Sequence, residues 1–294
     1  MIEELKTKLK EKYYKFEEQI KIYNKYSNKL TKDDKYVLIK NFLNGRDFWG
    51  YFQLITKITS ELAEDSKRYV DLLEEISNKI KRDLASGPFY NVLVSIGEEK
   101  PDIGIKLYRK INEISKDDNM KIIAGLILGG YSKKNTSVFE EYLQSEIKYP
   151  EVNSILKAIL VKYESEELSK PIYDYLDKVS KSDNKDVLME LANICLVFYK
   201  KNKNYFYDKI LNLVKIKDKK ISYFIFDRLT FQDILDHKEV FGLISISIDL
   251  DEIVVDKIVE VLRKYPSEYQ QVSDWLIYWL NKGLEFKLRH FDWV

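Results

Sequence analysis

Any chemistry in this chain would have to come from very few side chains. The two histidines, His237 and His290, stand far apart, and neither is followed by glutamate. No H-E-x-x-H is present, so the paired-histidine helical zinc site is absent. The segment Asp236-His237-Lys238 reads as a turn before a helix. The one cysteine, Cys195, lies between Ile194 and Leu196 on an apolar face. A reactive thiolate needs electropositive, partly exposed surroundings, so Cys195 is expected to be an inert core residue. A single cysteine also excludes an intrachain disulfide and a four-thiolate zinc site. The hydrolase elbow G-x-S-x-G and the two glycine-rich phosphate motifs are missing. Gly125, Gly129 and Gly130 look like a phosphate loop only at first sight, because no Lys-Ser or Lys-Thr follows them. Close helix packing is expected there. No catalytic residue, metal or cofactor is assigned.

Charged and aromatic clusters offer binding rather than catalysis. The carboxylate pairs Asp33-Asp34, Glu64-Asp65, Asp117-Asp118 and Asp251-Glu252 fall at helix starts or turns, where the helix dipole favours negative charge. The local anomaly is KKNKNYFYDKILNLVKIKDKK, residues 200–220, with eight lysines against Asp208 and Asp218. Lys200, Lys201, Lys203, Lys215, Lys217, Lys219 and Lys220 are the candidate phosphate-binding residues, on a basic rim formed by lysine clusters at both ends of a helical hairpin. Tyr205, Phe206 and Tyr207 fall on the core face by spacing, which favours packing over base stacking. The C-terminal stretch carries Trp275, Trp279 and Trp293. These either fold back onto the protein or form an exposed patch for a partner or a second copy of the chain.

The elements that must position these residues are helices. Apolar residues recur at helical rather than alternating spacing, and glycine and proline are scarce, at 10 and 5 in 294 residues. The first helix is expected over Ile2 to about Leu30. Thr31 or Asp33 caps the next, which stops at Asn44-Gly45, and another runs from Asp47 to Leu62. Residues 1–65 thus form N-terminal helices, either a cap or the first repeats. Residues 66–294 form an array of helix pairs with an aromatic C-terminal cap. Pro101 and Pro171 open helices, and Pro150 and Pro266 mark junctions of pairs.

The pairs repeat. MKIIAGLILGGY, residues 120–131, lies over VNSILKAILVKY, residues 152–163, with Ile123 on Ile155, Ile127 on Ile159, Leu128 on Leu160 and Tyr131 on Tyr163. The pattern returns as Leu191, Cys195, Leu196 and Tyr199, and more loosely as Ile221, Ile225, Phe226 and Leu229. A helix pair of about 34 residues cannot bury both apolar faces alone, whereas stacking on like neighbours can. Over about residues 66–282 the pairs resemble HEAT-like repeats and α-solenoid proteins more generally. The succession of a tetratricopeptide repeat is not found. The resemblance implies an all-α, right-handed solenoid of antiparallel pairs, 30–36 residues each, and a binding role. It carries no functional residue.

The net charge of +1 calls for neither nucleic acid nor an anionic membrane, and only 7 of 49 basic residues are arginine. The N-terminus is charged from residue 3, and no apolar run approaches the ~20 residues of a membrane span. The expectation is a cytoplasmic, non-enzymatic scaffold that binds another macromolecule, a protein first. A nucleic-acid-binding solenoid using residues 200–220, less so a DNA glycosylase, is the alternative, and homo-oligomerisation is open.

Overall fold

The helical spacing is realised as α-helix along the chain. The computed structural model describes residues 1–45, 48–64, 66–80, 88–144, 146–265 and 268–283. In order, the helices are α1 (Ile2–Lys10), α2 (Phe16–Ser27), α3 (Lys32–Asn44), α4 (Phe52–Ser60), α5 (Ser66–Ile80), α6 (Pro88–Glu99), α7 (Pro101–Ile114), α8 (Asp118–Ser132), α9 (Thr136–Tyr142), α10 (Glu151–Lys162), α11 (Lys170–Val179), α12 (Lys185–Phe198), α13 (Lys203–Lys215), α14 (Lys219–Phe231), α15 (His237–Ser247), α16 (Glu252–Leu262) and α17 (Tyr269–Asn281). Short 3-10 turns precede α4 and follow α12. No strand occurs among the described residues.

Local chemistry sets many of the boundaries. Thr31 caps α3 in a reciprocal box with Asp34: the Asp34 N–H donates to Thr31 Oγ1 at 3.1 Å, and the Thr31 N–H donates to Asp34 Oδ2 at 2.9 Å. Asp117, Asn184, Asn202, Asp218 and Asp251 cap α8, α12, α13, α14 and α16 with side-chain oxygens. Pro101 stands in the first turn of α7, where a missing N–H costs nothing. Gly45 does follow the end of α3, but with extended backbone rather than a left-handed stop. The expected first helix is two helices. Tyr14 adopts φ 60, which breaks the run between α1 and α2. Beside the break the buried Gln19 amide donates to the carbonyl oxygens of Lys12 and Gly50, at 3.0 and 2.9 Å.

The chain forms two compact units, Met1–Glu166 and Glu167–Val294. In the first, α2, α4, α6, α8 and α10 touch in succession, as do α1, α3, α5 and α7. Cross-contacts α1–α2, α3–α4, α6–α7 and α7–α8 join the two series, and α9 packs on α8. In the second unit α12, α14 and α16 touch in succession and α13 touches α15, with α11–α12, α12–α13 and α13–α14 between the series. A helix therefore packs repeatedly against the helix two places along.

The glycines explain how α8 fits. A β-carbon on Gly130 would lie well inside 3.0 Å of the Val94 carbonyl oxygen on α6, and one on Gly125 would meet the Ser154 carbonyl oxygen on α10. Gly129 faces Ala158 and Val161 of α10 in the same way. Helix backbones approach here as closely as backbone atoms allow, and only glycine leaves the room.

Polar ties recur one helix pair apart. Lys32 at the start of α3 pairs with Glu64 at 2.7 Å, 32 residues on, and Lys203 at the start of α13 pairs with Asp236 at 3.0 Å, 33 on. Lys219 of α14 pairs with Asp251, the cap of α16, at 3.1 Å, and Lys185 of α12 pairs with Asp218, the cap of α14. At the other ends, lysine ammonium groups donate to carbonyl oxygens near the end of the helix two places back. These are Lys134 to Glu98 O at 3.1 Å, Lys162 to Ser132 O at 3.0 Å and Lys264 to Leu229 O at 2.9 Å. Cationic groups are favoured at helix C-termini, and the same solution occurs at α6–α8, α8–α10 and α14–α16.

Asp218 makes the ladder sensitive to acid. Its pairing with Lys185, opposed by burial and assisted by the N–H groups of Ile221 and Lys220, holds its carboxyl below the usual value. A carboxylate depressed in the folded state stabilises fully above its unfolded value and loses that contribution as pH falls through the folded one. Asp218→Asn is therefore expected to be less stable than wild type at pH 7, with the gap closing below about pH 4. Urea unfolding at the two pH values checks this, and a gap that is constant with pH would rule it out.

Candidate binding surface

The lysines of 200–220 do not form one continuous rim. Lys200 and Lys201 lie in the 3-10 turn after α12, and Lys203 opens α13. Lys215 ends α13, Lys217 lies in the turn that follows, and Lys219 and Lys220 open α14. The two groups stand at opposite ends of α13, about 20 Å apart at 1.5 Å per residue. Several of the charges are also bound within the fold: Lys203 to Asp236, Lys219 to Asp251, and Lys209 to Asp177 at 2.6 Å. Lys201 lies over the Phe198 ring. Lys215, Lys217 and Lys220 are exposed around the α13–α14 turn, beside an exposed Ile216 and with Lys217 at φ 57. Tyr205 is held by Asp177 at 2.8 Å, and Phe206 is buried.

Trp275 and Trp279 are core residues. Trp275 packs on Phe241 with ring centroids 5.0 Å apart. Trp279 is fully buried and donates its indole N–H to Ile248 O at 2.8 Å. Trp293 and His290 lie outside the described residues.

Among the remaining candidates, His237 opens α15, its ring 4.4 Å from that of Phe241 and 5.2 Å from that of Tyr265. Cys195 is fully buried in α12, and burial pushes its thiol up, against a weaker pull down from Lys209. It is expected to resist thiol reagents in the native protein and to react fully in denaturant, as a colorimetric titration would show. Prompt native labelling would contradict this placement. Among the described residues no three His, Cys, Asp or Glu side chains are grouped to hold a metal ion, and no helix is long and apolar enough to cross a membrane.

Two other features carry polar chemistry in the first unit. A groove of roughly 380 Å³ between α4 and α6 is lined by Lys57, Ser60, Glu61, Asn91, Ser95 and Lys100, with apolar Val92 and Ile96. Glu61 accepts from Tyr23 and Lys35, each at 2.8 Å, with Lys57 at 3.5 Å. Burial raises its carboxyl, but these partners outweigh burial and hold it below the usual value. The three partners come from α2, α3 and α4, so this network fixes helices to one another.

Helical spacing alone does not reveal the outer face of α12, α14 and α16. On α12 it consists of Met189, Glu190, Asn193 and Val197. On α14 it consists of Tyr223, Phe224, Asp227, Arg228 and Phe231, and on α16 of Ile253, Asp256, Lys257 and Glu260. Phe231 is 76% exposed and Val197 57% exposed, at the C-terminal ends of neighbouring helices and 34 residues apart. The register is fixed by Lys185 on Asp218 at one end and by Lys257 on Asp227, at 3.0 Å, between α14 and α16. The signal available in the sequence was that 197 and 231 hold large apolar residues off the apolar stripes of their helices.

The chain matches no protein-family model, and no curated protein matches it.

Proposed function

We propose that this protein is a binding scaffold of HEAT-like α-solenoid character, in which successive antiparallel helix pairs present the outer face of α12, α14 and α16 to a protein partner. One observation carries the reading: Phe231 and Val197 stand exposed at the C-terminal ends of the neighbouring helices α14 and α12. Apolar side chains exposed singly are ordinary, whereas a row of them on packed neighbouring helices marks an interaction surface. Helix-to-helix-two-along packing and polar ties 30–36 residues apart support the solenoid reading. The pairing of Lys203, Lys209 and Lys219 within the fold reduces the support for nucleic acid as the partner.

Site-specific photo-crosslinking tests the proposal. A benzophenone side chain at position 231, but not one at the exposed Asp208 of α13, is expected to yield a defined protein adduct in the native extract. Indistinguishable adducts from the two positions would remove this face as the binding surface.

A further inference from the structure

One flank of α17 points to a contact within the chain, which goes beyond the scaffold reading. Val272, Trp275, Leu276 and Trp279 turn one side of this helix to the core. Ile277 and Leu280, near its C-terminal end, are 55% and 48% exposed. At about 100° per residue, Leu276, Leu280, Ser273 and Ile277 follow one another around the helix within about 100°. No charged side chain of α17 falls in that arc. The exposed pair is therefore an extension of the core edge at Leu276, not two scattered surface residues.

The backbone then changes direction. Gly283 adopts φ 76 and donates its N–H to the Leu280 carbonyl oxygen at 2.9 Å. A left-handed glycine just past a helix ends it and carries the chain away from the helix axis. Nothing lies within 4 Å of a β-carbon added there, so conformation rather than crowding selects glycine. The eleven residues that follow, LEFKLRHFDWV, lie outside the described residues. Their sequence alternates at first, with Leu284, Phe286 and Leu288 interleaved by Glu285, Lys287 and Arg289. In an extended segment the three apolar residues share one side and the three charged residues the other.

Reach and chain order favour this segment as the occupant of the flank. Ile277 lies six residues before Gly283, about 9 Å along the helix axis, and three extended residues span about 10 Å. In the same unit, helices pack on their successors in sequence: α11 on α12, α12 on α13 and α13 on α14. Covalent attachment also holds the segment at an effective concentration in the millimolar range. A second copy or a free apolar partner has to compete with that.

We propose that residues 284–294 fold back over this flank of α17, with Leu284, Phe286 and Leu288 covering Leu280 and Ile277. The segment closes the apolar edge of the Glu167–Val294 unit, an edge that would otherwise invite association with another molecule.

A benzophenone side chain at position 286 of the full-length protein tests this. Irradiation is expected to link position 286 to α17 of the same chain, mapped by mass spectrometry to residues 273–281. The yield should not change on dilution, and Ile277→Ser with Leu280→Ser should lower it about 10-fold. Both residues are exposed, and circular dichroism establishes that the double variant keeps its fold. Adducts elsewhere on the chain, no adduct, or a yield indifferent to the double substitution would overturn the proposal. Adducts between two chains, falling with dilution, would also overturn it, by making a second copy the occupant. None of these results bears on Phe231, whose crosslinking tests the scaffold reading separately.

Discussion

Gly130→Ala is expected to destabilise the Met1–Glu166 unit by about 2 kcal/mol or more, although the substitution replaces a poor helix former with the best one. Two effects compete. Alanine in a helix interior is worth about 1 kcal/mol over glycine. Against it, the new methyl would fall well inside 3.0 Å of the Val94 carbonyl oxygen. Overpacking typically costs about 1–3 kcal/mol, and more when nothing can yield. The obstacle here is backbone of a neighbouring helix, which cannot rotate aside, so steric cost wins. For a unit of this size, the loss corresponds to a midpoint lower by about 4–8 °C.

The same reasoning gives the control. Gly242 lies inside α15, and the only atoms near its added β-carbon belong to the Tyr207 side chain, with the hydroxyl at 2.6 Å. That hydroxyl donates to Glu239 O at 3.2 Å. It can swing away at the cost of one hydrogen bond, about 1 kcal/mol, which the helix propensity of alanine offsets. Gly242→Ala is expected to be near neutral. Gly125→Ala, blocked by the Ser154 carbonyl on the opposite side of α8, should be as damaging as Gly130→Ala. Thermal or urea unfolding of the three variants separates these outcomes. A Gly130→Ala protein as stable as Gly242→Ala would mean that α6 and α8 do not approach at this glycine.

What was legible in the sequence follows the range of the physics. Helix class, the Thr31 cap, the Pro101 start and the core position of Cys195 depend on a few neighbouring residues, and a local pattern reveals them. The glycines of MKIIAGLILGGY were readable as a packing site because the absence of Lys-Ser or Lys-Thr left no phosphate chemistry for them. The break between α1 and α2 was not readable. No glycine or proline marks it, and Tyr14 adopts its left-handed conformation where the Tyr13 ring fits against Gly50 and the Lys12 carbonyl accepts from both Gln19 and the Lys15 N–H.

The charge of residues 200–220 is partly offset within the fold for a related reason. A local window counts lysines, but the acids that bind them, Asp177, Asp236 and Asp251, stand about one helix pair away. The outer face of α12, α14 and α16 was hidden by the same distance. Periodicity assigns apolar residues to the core, and only the register between copies leaves Val197 and Phe231 outside it. Trp275 and Trp279 show the converse, since an aromatic run reads equally as interface or core until the packing partners are known.

Trp279→Ala is expected to cost the second unit about 4 kcal/mol. Truncating a fully buried aromatic costs about 3–5 kcal/mol through lost transfer energy and the cavity left behind, and Trp279 is fully buried. The change also removes the indole donor to Ile248 O, at the end of α15. Trp279→Phe separates the two contributions. It keeps most of the packing and loses the hydrogen bond, leaving a partly buried carbonyl without that donor, for about 1–2 kcal/mol. Stability should therefore fall in the order wild type, Trp279→Phe, Trp279→Ala, measured by urea unfolding followed by circular dichroism. Phe231→Ala gives the opposite signature. Phe231 is mostly exposed, so stability should change by no more than about 0.5 kcal/mol while binding at the outer face is lost. The two variants thus assign each aromatic residue by which property it moves. If Trp279→Ala left stability unchanged, Trp279 would not seal α17 against α15, and the apolar surface at Ile277 and Leu280 would replace it as the side of α17 turned to the core.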